Sequence, residues 1–191
     1  IKKNPVKSLN SDGITLESGD RIQADIIVFA TGFDAMTGSL LKLGIVGRKN
    51  VTLAEAWQNG PQTFLGLSTS GFPNLFMITG PGSPSVLTNM PRAIEQHAEW
   101  ITNCMNHCDE VGAMTIEAEN TAMLNWTDHV TAVANQTLLP KANLSWYFGG
   151  NIPGKPRTFM PYSAGLDKFR SNCEQIAKSG YIGFKITQSQ A

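Results

Sequence analysis

Apolar residues along the chain fall into two periods, and each period predicts a different kind of element. Residues 14–16 and 21–23 flank Glu17-Ser18-Gly19-Asp20, which predicts a short two-stranded hairpin turned at the glycine. Asp25 then leads into Ile26-Ile27-Val28-Phe29-Ala30, five apolar residues without alternation, stopped by Thr31-Gly32. Such a run predicts a strand covered on both faces, as in the middle of a parallel α/β sheet. Leu75-Phe76-Met77-Ile78 predicts a second strand running into Thr79-Gly80-Pro81-Gly82, and residues 64–67 a weaker third.

Helical spacing follows. Ile94, Ala98, Ile101, Met105 and Cys108 form one apolar stripe, predicting a helix that begins near Asn89 with Pro91 in its first turn, where a missing N–H costs little. Residues 117–138 predict a second helix, with Leu124, Val130, Val133 or Ala134, and Leu138 inward. Residues 166–178 predict a third, with Phe169, Cys173 and Ile176 inward and Gly180 as its stop. Residues 146–159 are too rich in Gly and Pro for anything but loop. Two or three strands do not close a parallel sheet, because each parallel pairing needs a crossover and cover on both faces. The pattern therefore reads as the C-terminal part of a larger α/β protein, and a first residue of Ile1 rather than Met adds to that expectation.

Composition narrows the function classes. The 191 residues carry 15 basic and 15 acidic side chains, 41% hydrophobic and 16% charged residues, a soluble globular balance with no electrostatic footprint for nucleic acid or an anionic membrane. No apolar run reaches the roughly 20 residues that span a bilayer, and Ile-Lys-Lys-Asn-Pro is no signal peptide, so a cytoplasmic protein is expected. Three cysteines do not build a disulfide framework.

Several positions could carry chemistry. Thr31, Gly32 and Asp34 stand at the carboxyl end of a predicted strand, where an α/β sheet collects ligands; equally, Gly32 makes a turn and Asp34 a cap. Gly80-Pro-Gly-Ser-Pro-Ser85 lacks the third glycine of a dinucleotide loop. The helix start at Thr88, Asn89 and Met90 offers N–H groups to a partial negative charge such as a flavin pyrimidine carbonyl, or else is ordinary capping. Trp146 and the cations Lys155 and Arg157 share one loop, suited to a ribose or nicotinamide and a phosphate, or to plain aromatic packing with solvated cations. Cys104, His107 and Cys108 have metal-like spacing but no fourth ligand, and no metal site is expected. His97 and His129 lack a nucleophile pattern nearby, and Glu95 and Glu99 read as a solvated helix face.

Four stretches in order, Ala30-Thr-Gly-Phe-Asp34, residues 74–90, Ile94-Glu-Gln-His-Ala-Glu-Trp-Ile101 and residues 145–157, together resemble the C-terminal part of type I Baeyer–Villiger monooxygenases, most of all their phenylacetone-type group. The resemblance implies a flavoprotein with two dinucleotide-binding domains, for FAD and NADPH, that inserts an oxygen atom of O₂ beside a ketone carbonyl through a C4a-peroxyflavin. It places residues 1–35 at the end of the NADP-binding domain and its linker back, and residues 36–191 in the C-terminal part of the FAD-binding domain with a mobile Trp146 loop. By position it makes Met90 a backbone contact to flavin with Asn89 beside it, Trp146 a contact to NADP, and Gly32 and Asp34 neighbours of the cofactors. Ser85, Val86 and Leu87, with Met90, would shape the ketone pocket.

The chain contains neither a GxGxxG turn, nor FxGxxxHxxxW, nor a counterpart of the family's peroxyflavin-stabilising arginine. The resemblance puts these in an N-terminal part that the enzyme requires, so the chain alone is expected neither to grip FAD nor to turn over. Two other readings share parts of this pattern: an N-hydroxylating or sulfur-oxidising flavin monooxygenase, and a non-catalytic remnant of the fold.

Overall fold

The computed structural model describes residues 4–30, 32–142 and 145–188, with the Val86 side chain outside the described set. The chain divides into two compact units, Ile1–Gly32 and Phe33–Ala191.

In the first unit, β1 (Val6–Asn10), β2 (Gly13–Leu16) and β3 (Arg21–Gln23) form an antiparallel sheet in that order. The β2–β3 hairpin is the expected one, closed where Gly19 N–H donates to Leu16 O at 2.9 Å. The stretch expected as a buried strand is corrected. Residues 26–30 pair with no strand, and Ile26 and Val28 are each 82% exposed. Apolar β-branched residues favour an extended backbone, but a ladder needs neighbouring N–H and C=O groups, and none of the described residues supplies them.

The second unit opens with short helices α1 (Gly38–Lys42) and α2 (Leu53–Ala56), the latter started by a Thr52–Glu55 capping box. The strand expected at 75–78 is absent, as is a regular strand at 64–67. These stretches instead run as turns and loop: the first closes on itself through a Phe64–Ser68 bridge, and Met77 N–H links the second to it by donating to Leu67 O at 2.8 Å. The long helix α3 (Met90–Glu110) follows, then β4 (Ala113–Ala118), α4 (Asn120–Asn135), α5 (Leu166–Lys178) and β5 (Phe184–Gln188). β4 and β5 pair antiparallel, which moves Glu117 from the expected helix into a strand. The described strands are thus all antiparallel, in a mixed α/β chain of small sheets and packed helices.

The inward face of α3 is also corrected. Ala93, His97, Trp100, Cys104 and Cys108 are buried, whereas Ile94 and Met105 of the expected stripe are 40% and 55% exposed. On α4 the buried residues are Met123, Trp126, Val130 and Ala134, and Leu138 is exposed. Trp100 explains much of this: its indole N–H donates to Cys173 O of α5 at 2.8 Å, so the ring must face that helix and carries the rest of α3 with it. Phe169, fully buried on α5, sits among His97, Trp126 and Tyr162. Burial of a ring of that size contributes about 2–3 kcal/mol.

Candidate functional site

Three loop segments of the second unit, residues 33–37, 79–90 and 145–160, are tied to one another by side-chain and backbone bonds. The middle one is held hardest. Trp126 N–H donates to Gly82 O at 3.0 Å, Thr63 Oγ1 to Pro81 O at 2.5 Å, and Ser83 Oγ to Gly80 O at 2.8 Å. Buried carbonyls are costly to leave unpaired, so these donors give residues 80–83 one backbone path. That path carries the chain into the Ser85–Leu87 turn and then into α3.

Ser85 is buried, with a left-handed φ of 45°, and its hydroxyl donates to the Met36 sulfur at 3.2 Å. Leu87 is half-buried and packs on the main core. At the start of α3 the Asn89 side chain accepts Arg92 N–H at 3.3 Å, and the Asn89 carbonyl accepts Ala93 N–H at 3.1 Å. Pro91 has no N–H. Among the described residues, Met90 N–H is therefore the donor of the first turn that no protein acceptor takes, at the positive end of a 21-residue helix.

The third segment begins with Ser145 capping the Trp146–Phe148 turn through a 3.2 Å bond from Tyr147 N–H. Trp146 is half-buried and lies edge-on to Tyr147, with ring centroids 4.5 Å apart. Met160 links this turn to the middle segment: its N–H donates to Tyr147 O at 2.9 Å and its carbonyl accepts Gly82 N–H at 2.5 Å. Further along, the Lys155 ammonium binds the Asp34 carboxylate and donates to Thr37 Oγ1 at 2.7 Å. Asn151 donates to Phe33 O at 3.2 Å.

Thus Asp34, Ser85, Asn89, Met90 and Trp146 all lie on this tied set of loops. Gly32 ends the first unit and is exposed, Val86 contributes only its place in the turn, and Thr31 lies outside the described residues. Among the described residues no group of three His, Cys, Asp or Glu could hold a metal ion. The thiols are inward: burial pushes Cys104 and Cys173 up to about 12. No helix among the described residues is long and apolar enough to cross a membrane.

No family model matches the chain. Known proteins do. A Baeyer–Villiger monooxygenase of Pseudooceanicola batsensis is 40% identical over 95% of this chain and 33% of its own length. Over nearly its full length the chain is similar to Baeyer–Villiger monooxygenases. A closed crystal structure of cyclohexanone monooxygenase superposes with a TM-score of 0.89 at 37% identity, over 98% of this chain and 35% of that one. A phenazine N-monooxygenase of Lysobacter antibioticus is 36% identical over 96% of this chain and 34% of its own length. The chain spans about a third of the length of the curated relatives it matches.

Met36, Thr37, Thr63, Trp126 and Met160 also tie these loops together and escaped the sequence reading. Met36 reaches Ser85 across 49 positions and Trp126 reaches Gly82 across 44. Nothing in local spacing marks such pairs. Lys155 was visible as a cation on the Trp146 loop, but its acceptor lies 121 positions earlier.

Proposed function

We propose that this chain is the C-terminal part of an FAD- and NADPH-dependent Baeyer–Villiger monooxygenase that converts a ketone to an ester or lactone. The observation that carries the reading is the uncommitted Met90 N–H at the head of α3. A flavin pyrimidine carbonyl is a neutral acceptor with partial negative charge, which suits one N–H donor and a helix dipole. The fit extends to that edge of the cofactor, while the phosphates need glycine-rich turns that this sequence lacks. A bound reduced flavin supplies the electrons that activate O₂ and the site from which oxygen passes to the ketone.

This chain's residues bind and orient. Met90 N–H holds the flavin carbonyl, and the Asn89 cap keeps the first turn of α3 in the shape that presents it. Ser85 and Leu87, with Val86 between them and Met90 after them, form one wall of the ketone pocket and exclude water from it. Trp146 offers its indole to NADP, and Asp34 supports that loop through Lys155. Gly32 stands at the junction with the NADP-binding part. The exposed Ile26 and Val28 support a missing N-terminal part, whose sheet would cover them. Three buried free thiols suit a reducing compartment, the cytoplasm.

Met90→Pro in the complete enzyme tests the central contact. Proline is at home in the first position of a helix, and Asn89, at φ −66° and ψ 110°, already has the extended backbone that a following proline demands. Helix content and melting temperature of the apoprotein should stay unchanged while FAD affinity falls about three- to tenfold, the worth of one hydrogen bond. Unchanged affinity would overturn the assignment. The phenazine N-monooxygenase relative favours a second reading, oxidation of an aromatic ring nitrogen, and parallel assays with a cyclic ketone and a phenazine decide between them.

A further inference from the structure

We propose that Lys155 is a positioning residue, the latch that fixes the Trp146 loop to residues 33–37 of the same unit. This rests on the reading that Trp146 meets NADP. The cluster has the marks of a built site. The Lys155 side chain is only 12% exposed although lysine ordinarily keeps its ammonium in water, and it has two acceptors, the Asp34 carboxylate and Thr37 Oγ1. Thr37 is itself buried.

Two glycines make room for the pair. The lysine stem crosses Gly149, where a Cβ would stand 2.8 Å from Lys155 Cδ, and Gly149 ends the Trp146–Phe148 turn with a left-handed φ of 70°. On the other side a Cβ at Gly38 would lie 2.6 Å from Asp34 Cβ. The stem therefore touches the turn that carries Trp146, and the ammonium anchors that turn to the segment after the first unit.

Between these anchors the loop has little else. Gly150 N–H donates to Ser145 O, Ile152 N–H to Gly149 O and Lys155 N–H to Ile152 O, all local turns, and Asn151 adds one exposed bond to Phe33 O. Local turns by themselves leave a segment rich in glycine and proline open to many backbone states. The ion pair selects one of them, and with it the direction of the indole.

A lysine that instead touched a cofactor phosphate directly would act without Asp34, and the test exploits that. In the complete enzyme, Lys155→Met, Asp34→Ala and the double variant are compared for amide hydrogen exchange over residues 149–157, NADPH KM and flavin content. Exchange in α5 serves as the folding control, and Thr37→Val provides a milder break of the same cluster. The latch predicts that each single variant speeds exchange in this segment about tenfold, that the double variant adds little, and that KM for NADPH rises with it while flavin content and kcat hold. Wild-type exchange in both single variants overturns the latch. So does a raised KM in Lys155→Met with Asp34→Ala at wild-type values, which would make Lys155 a direct phosphate ligand. Faster exchange with unchanged NADPH KM upholds the latch and overturns the Trp146 contact with NADP.

Discussion

His97 Nδ1 accepts the Thr79 amide hydrogen at 3.0 Å. The imidazole is fully buried on α3, 5.3 Å from the Phe169 ring, and Thr79 has a left-handed φ of 56°. The bond thus holds a strained residue at the entrance to residues 80–85, next to the proposed ketone pocket. An Nδ1 that accepts requires the neutral ring with its hydrogen on Nε2.

Acid should therefore loosen this loop. Burial lowers the His97 pKa to about 4 from an ordinary 6.5. Because the folded value lies below the unfolded one, the unfolded chain takes up the proton first as pH falls. The contribution is whole above about pH 6.5 and is lost progressively towards about pH 4, up to roughly 3 kcal/mol. Urea unfolding across that window should show the slope, and His97→Asn should flatten it. An equal slope in the variant would assign the effect to other groups.

Glu117 of β4 joins elements far apart in the chain, accepting Arg48 Nε at 2.6 Å and Gly71 N–H at 2.8 Å. The Arg48 side chain is half exposed, so its share is small, whereas Gly71 N–H loses its acceptor when the carboxylate is removed. Glu117→Ala should cost about 1–3 kcal/mol in chemical denaturation. A loss below about 0.5 kcal/mol would show that water replaces the carboxylate at no cost.

Trp146→Ala removes an indole but leaves the Ser145 cap and the Met160 bond to Tyr147, both of which use other atoms. The turn should persist. NADPH KM is expected to rise about tenfold with flavin content retained, as for loss of one aromatic contact to a ligand. Equal loss of both would indicate a folding defect instead.

Gly66 packs against the 80–85 loop with a left-handed φ of 69°, and a Cβ there would stand 2.6 Å from Ser83 Cβ and 2.9 Å from Ser83 Cα. Gly66→Ala adds strain to overlap and should cost about 3 kcal/mol. In a chain of this size that lowers the melting temperature by roughly 6–12 °C. A drop under about 2 °C would mean that the loop yields freely.

Short-range chemistry was enough for the elements that carry their own boundaries. Leu166–Lys178 forms over the predicted residues, and α3 starts at the Asn89 cap with Pro91 in its first turn, because a cap and a proline act within one turn of helix. The likeness to Baeyer–Villiger monooxygenases, too, was legible in four ordered motifs. Which face of α3 turns inward was not: Ile94 and Met105 satisfy the period, yet with Trp100 bonded to Cys173 O the buried positions are Ala93, His97, Trp100 and Cys104, each one residue before the expected one, and only Cys108 keeps its place. Residues 113–118 became a strand because β5 pairs with them from some 70 positions on, and residues 26–30 did not because no described strand lies beside them. Asp34, Thr37 and Lys155 are the extreme case. Charge and hydrogen-bonding capacity reside in each residue alone, but a bond between groups 118 to 121 positions apart exists only once packing has brought them together.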